Sequence, residues 1–305
     1  MAGQMAQTID RGIALQAVQA REAQASRRRM IAGLAICGLG LLFTYRATLA
    51  DLWSVWMENQ DYSHGVLVAP FAAYLVWRRR GQLRNVPAKP SWLGLAILAS
   101  ALVMRLVALR YYYGSLESLS LVVTVWGLIV LIAGWQFTRR LTGPLLFLVL
   151  MVPPPQSAAA AITMPLQRFA ASTSTSVLDA MGWRVVREGN VLRLPLQSLE
   201  VAEACSGLRM VFAVVTLGAA MACLLRRPVW ERAVLVVSTL AIGVLVNVAR
   251  VVITGVASEL SAAHLSVSTV HDWAGWLMMP VAVLILWWEQ RFLRLLFQES
   301  TEAQA

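Results

Sequence analysis

Residues 205–250, CSGLRMVFAVVTLGAAMACLLRRPVWERAVLVVSTLAIGVLVNVAR, read as two long apolar runs joined by a pair of arginines. Each run, about 206–225 and 229–249, has the length of a membrane crossing and an apolar centre. Arg226 and Arg227 between them carry the positive charge that marks a cytoplasmic turn. The polar residues gather at the opposite ends, where Cys205 opens the first run and Arg250 closes the second. A thiol and a guanidinium therefore return to the same side of the membrane at about the same depth.

The pattern repeats outward from this hairpin. Of the 305 residues 58% are hydrophobic and 14% charged, with a mean hydropathy of +0.64. A soluble domain is nearer one quarter charged. Eight spans can be placed, at roughly 30–49, 62–77, 92–110, 118–136, 141–153, 206–225, 229–249 and 272–290. The expected fold is an all-α polytopic membrane protein. Residues 1–29 form a basic cytoplasmic tail, 30–295 the membrane domain and 296–305 a second cytoplasmic tail. The first apolar block begins near Met30, too deep for a cleavable signal peptide.

Arginine and lysine alternate across the spans. Arg27 to Arg29 precede span one; Arg78, Arg79, Arg80, Arg84 and Lys89 follow span two; Arg139 and Arg140 follow span four; Arg291 and Arg294 follow span eight. The stretches ADLWSVWMENQDYSHG and VPPPQ on the other side hold none. Both ends are thus expected inside, and Cys205 outside. Arg105 and Arg110, at the outer end of span three, run against the rule. Much of the basic excess behind the net charge of +10 lies in these clusters and needs no nucleic acid to explain it. It forms no basic face interleaved with aromatics, so no nucleic-acid partner is expected.

One outside segment is long, residues 154–204. AITMPLQRFAASTSTSVLDAMG has helical spacing and is expected as a short helix along the interface. NVLRLPLQSLEVAEA alternates and carries a proline, which suggests a short extended hairpin. This segment delivers the chain to Cys205.

Span eight opens with HDWAG, which adds His271 to the outer boundary. The three groups suit nucleophilic catalysis. A helix N-terminus and a nearby cation favour the thiolate. A neutral imidazole can take the thiol proton and return it to a leaving amine. A guanidinium can hold an oxyanion or a substrate carboxylate. Asp272 and Asn247 are candidates to orient one of them. Each residue alone has a plainer explanation: a buried apolar cysteine, a snorkelling arginine, a structural histidine. Their coincidence at one depth favours function, because polar groups in a membrane are costly. Cys223 lies about 27 Å from Cys205 along a helix, and Cys37 lies in span one, so Cys205 has no disulfide partner. Three His and three Cys are scattered without metal spacing, so neither zinc nor any other cofactor is expected.

EACSGLR, NVAR and HDWAG, in this order, resemble the Cys, Arg and His motifs of the exosortase/archaeosortase family, and DYSHG before span two is similar to a further stretch of it. The resemblance covers about residues 30–290. It implies a cysteine transpeptidase or protease of the bacterial inner membrane, with its site facing the periplasm. Its partners would be exported proteins ending in a Pro-Glu-Pro-type sorting signal, often in systems that accompany exopolysaccharide production. Cys205 would be the nucleophile, Arg250 the oxyanion or substrate stabiliser and His271 the acid/base. His64 matches the SHG stretch and is expected to shape the outer loop; His264 is the rival for the base role. Two other readings compete. Ser206 and a later histidine resemble a rhomboid serine protease dyad, although Ala204 stands where its glycine would be. A transporter would need polar residues through the bilayer, and the span centres are apolar.

Overall fold

The computed structural model describes residues 24–25, 28–84, 86–196, 198–200, 207–225, 227–260 and 267–302, with the backbone alone at 200, 207–208, 267–268, 271 and 296–302. Apolar runs become helices because a helix satisfies its own backbone hydrogen bonds without water. They are α1 (Arg28–Thr44), α2 (Arg46–Glu58), α3 (Gly65–Arg78), α4 (Arg80–Arg84), α5 (Leu93–Tyr111), α6 (Gly114–Ala133), α7 (Trp135–Leu148), α8 (Gln156–Ala180), α9 (Gly207–Leu224), α10 (Val229–Leu260) and α11 (Val267–Glu302). The expected all-α membrane architecture is the one found.

The count of eight spans is not established. Among the described residues α5, α6 and α10 are each long and apolar enough to cross a membrane. Two further pairs, α1 with α2 and Trp135–Met151 with α8, reach that standard only when joined across a break. Helices do lie at all eight expected places. However, α3 and α7 have only 14 residues each, about 21 Å at the helical rise, short of a hydrocarbon core of about 30 Å.

The chain divides into two compact units. The first holds the residues up to Trp53 together with Ala72–Val152. In it α5 and α6 pack antiparallel through small residues. A side chain on Gly94 would meet the backbone of Leu131, and one on Gly127 would meet Leu98. The 69° bend between α1 and α2 falls at Tyr45. Its phenol reaches Ser120 Oγ at 3.1 Å and Thr124 Oγ1 at 2.9 Å. Arg105 stacks its guanidinium over the Tyr45 ring and donates from Nη2 to the carbonyl of Thr44 at 2.7 Å. The Arg105 side chain thus reaches the backbone at the bend, a place where side-chain contacts often accompany a kink.

The second unit holds Ser54–Phe71 and the residues from Pro153. A helix stands where a short interfacial one was expected after residue 154, but α8 is 25 residues long and, joined to Trp135–Met151 across an 85° bend, has the length and composition of a membrane span. The expected extended hairpin is β2 (Val191–Arg193) with β3 (Ser198–Glu200), and a strand that the sequence did not announce, β1 (Val186–Glu188), precedes them. The sheet is antiparallel in the order β1-β2-β3, with Leu192 opposite Leu199. Pro195 sits in the connection, where a missing N–H does no harm.

Two cores meet on α10. Leu178 of α8, Leu192, Leu194 and Leu199 of the sheet region, and Val248 and Val251 of α10 form one. Met210 and Val214 of α9, Leu235, Ile242 and Val246 of α10, and Met278, Ala282 and Leu286 of α11 form the other. Gly243 lets α9 approach at Val211, and Gly218 takes up the Thr239 side chain. With partners on several sides, α10 is buried around much of its circumference, as its residue list requires.

Candidate functional site

Arg250 lies 21 residues beyond Val229 on α10, about 32 Å along the axis, so one membrane thickness separates it from the arginine turn at the helix start. The helix does not end there. It continues to Leu260, because its last turns pack on the sheet region. Gly255 faces Leu178 and Leu194, and the carboxylate of Glu259 accepts the backbone N–H of Leu196 at 3.0 Å.

Arg250 is only 6% exposed. Its guanidinium lies against α11 at Gly275: a carbon added there would stand 3.2 Å from Nη2, 3.3 Å from Cζ and 3.4 Å from Nε. Gly275 is therefore the residue that lets an arginine pass flat along a helix backbone. The backbone of His271 is one turn before it, on the same face of α11. The NVAR and HDWAG segments thus touch through Arg250 and Gly275. Asn247, one turn before Arg250, is 3% exposed, and its Oδ1 has no hydrogen-bond partner among the described residues. Asp272 is exposed. Of the two orienting candidates, the asparagine is the buried one.

A second set of contacts joins the turn before α3 to the start of α9. Asn59 Oδ1 accepts the N–H of Asp61 at 2.9 Å, and Ser63 Oγ donates to the carbonyl of Gln60 at 3.0 Å, which shapes a 3-10 turn over Gln60–Tyr62. Gly65 must lack a side chain because the Trp56 indole occupies that space. Arg209 Nη1 then donates to Gln60 Oε1 at 2.7 Å. The rings of Tyr62 and His64 lie 6.0 and 5.8 Å from that of Phe212. Burial, and after it the carboxylate of Asp61, push the Tyr62 phenol up, so it stays neutral.

Of the residues singled out by sequence, Arg250 and the backbone of His271 are brought together. Cys205, Ser206 and His264 lie outside the described residues. His64, expected to shape a loop, lays its ring against α9, whose first residue follows Cys205 by two. Sequence reasoning missed Gly275, Arg209 and Phe212. The signal was available for Arg209, since a cation in the first turn of an apolar helix opposes the helix dipole and calls for another explanation.

Residues 56–288 match the family model described as transmembrane exosortase. No curated protein and no solved structure matches the chain.

Proposed function

This chain belongs to the transmembrane exosortase family, and from that premise we propose that it is a membrane cysteine transpeptidase acting on exported proteins with a C-terminal Pro-Glu-Pro-type sorting signal. Cys205 is the nucleophile, His271 the acid/base and Arg250 the stabiliser of the oxyanion. The Cys205 thiol gives its proton to His271, and the sulfur attacks the scissile carbonyl carbon. The charge that develops on the carbonyl oxygen is met by the guanidinium. The C–N bond breaks, and His271 delivers the proton to the leaving nitrogen. An acceptor amine or water then attacks the thioester, the C–S bond breaks and the thiol is restored. The enzyme would work in the bacterial inner membrane with this site facing the periplasm.

The observation that supports the reading best is the buried Arg250 guanidinium lying on Gly275, one turn from His271. A buried charge in a membrane helix is costly and is retained where it has a task. The test is co-expression with an exported protein that ends in such a signal. Wild-type protein should convert it to the processed form, while the Cys205→Ala, Arg250→Ala and His271→Ala variants leave the precursor. Processing that survives Cys205→Ala overturns the assignment.

A further inference from the structure

We infer that Arg209 binds a carboxylate of the substrate peptide, in a strip whose walls are the rings of Tyr62, His64 and Phe212; the inference rests on the sorting reading above. Arg209 occupies the first turn of α9, where the helix dipole disfavours a cation. Its place is not explained by the stability of that helix. One edge of the guanidinium is held by the neutral Gln60 Oε1, at 2.7 Å. That contact fixes direction without neutralising charge. Among the described residues no carboxylate stands within ion-pair distance of Arg209, and the side chain is only half-buried.

The surroundings narrow the ligand. Phe212 is three residues on, so it and Arg209 share one face of α9. The facing turn supplies Tyr62 and His64, whose rings pack at 44° and 33° to that of Phe212. A planar fork with no carboxylate partner among the described residues fits a carboxylate through two parallel hydrogen bonds. Rings beside it fit the flat, stiff residues of an extended, proline-containing segment. The strip begins four residues after Cys205 in the chain. The ligand this chemistry selects is an acidic side chain flanked by prolines, close to the bond that is cut.

The experiment uses full-length protein in membranes and two forms of one substrate, with the signal's acid as Glu or as Gln. In the wild type the Gln form should be processed about 10- to 100-fold more slowly, as for loss of one partner of a desolvated charge pair. Arg209→Gln should slow the Glu form by a similar factor, and the two changes together should cost no more than either alone. Arg209→Lys, which keeps the charge and loses the fork, should slow the Glu form several-fold and leave the Gln form at its wild-type rate. Losses that multiply, or an equal loss on both forms, overturn the inference. Photo-crosslinking of the two peptides to Cys205→Ala protein separates this failure from failure of the sorting reading. Preferential labelling by the Glu form, lost in the Cys205→Ala, Arg209→Gln double variant, upholds the carboxylate site even where no cleavage is seen. Equal labelling by both forms overturns it.

Discussion

Gly275 of α11 holds open the space in which the Arg250 guanidinium lies, with Nη2 3.2 Å from where a side chain would begin. Gly275→Ala should move the guanidinium by a few tenths of an ångström. Because a misplacement of about 1 Å can cost 10²-fold in rate, we expect a loss of up to about tenfold in processing, with normal membrane insertion. Gly275→Leu should abolish processing. The measurement is the ratio of precursor to processed substrate, and a Gly275→Leu variant as active as the wild type would remove Arg250 from the mechanism.

A second prediction separates the histidines. His271 is one turn from Gly275, against which the Arg250 guanidinium lies, whereas His264 falls outside the described residues and nothing in the sequence around it fixes its direction. His271→Ala should stop processing and His264→Ala should leave most of it. A loss that follows His264 alone would transfer the base role to that residue.

The membrane helices were legible because apolar composition and charge placement both act locally. The errors came where a distant partner decided. Arg105 looked like a violation of the charge rule, but it stacks on Tyr45 and donates to the Thr44 carbonyl at the bend. The apolar run of α10 ends near Arg250, yet the helix continues to Leu260 because Gly255 and Glu259 find partners on the sheet region. No periodicity along one segment reveals either contact. Spacing and depth singled out Arg250 and His271, and the structure places the Arg250 guanidinium against Gly275, one turn from the His271 backbone. Gly275 could not be singled out that way, because its reason is an arginine 25 residues earlier in the chain. His64 likewise reads as a loop residue until Phe212 is placed beside it.

Glu259 offers a test of that sheet contact. It is 7% exposed and accepts the Leu196 N–H. A hydrogen bond to a charged group contributes about 1.5–3 kcal/mol, and its loss strands a donor. Glu259→Ala should therefore destabilise the protein by about 2 kcal/mol, and Glu259→Gln, which keeps an acceptor, by less. Thermal unfolding in detergent reads both, and equal midpoints for wild type and Glu259→Ala would show that the contact is not holding the sheet.

Sidedness is the next prediction. The arginine alternation predicts that residues 154–204 lie outside. A reporter fused after Gln197 should read extracytoplasmic. Cys205 should react with a membrane-impermeant thiol reagent in intact cells carrying a variant without Cys37 and Cys223. A cytoplasmic signal from the reporter would reverse the orientation of the whole site.

The last prediction concerns Cys205 and Ser206, adjacent in ACSG. On a helix that extended back over both, their side chains would point about 100° apart, and only one of the two would face a given site. If the thiol is the nucleophile, Cys205→Ala should stop cleavage of the sorting signal with protein level and insertion unchanged. Cys205→Ser should be nearly inactive as well, since a nearby arginine helps a thiol ionise near neutral pH but cannot do so for a far less acidic hydroxyl. Ser206→Ala should keep most activity, because its expected role is to cap the helix that follows, a contribution of about 1 kcal/mol. The readout is precursor against processed substrate on an immunoblot, with a trapped thioester in the wild type as direct support. An active Cys205→Ala beside an inactive Ser206→Ala would assign the chemistry to the serine, as in a rhomboid-like protease. Full activity in both would mean that the thiol is only a small apolar residue and that the nucleophile lies elsewhere.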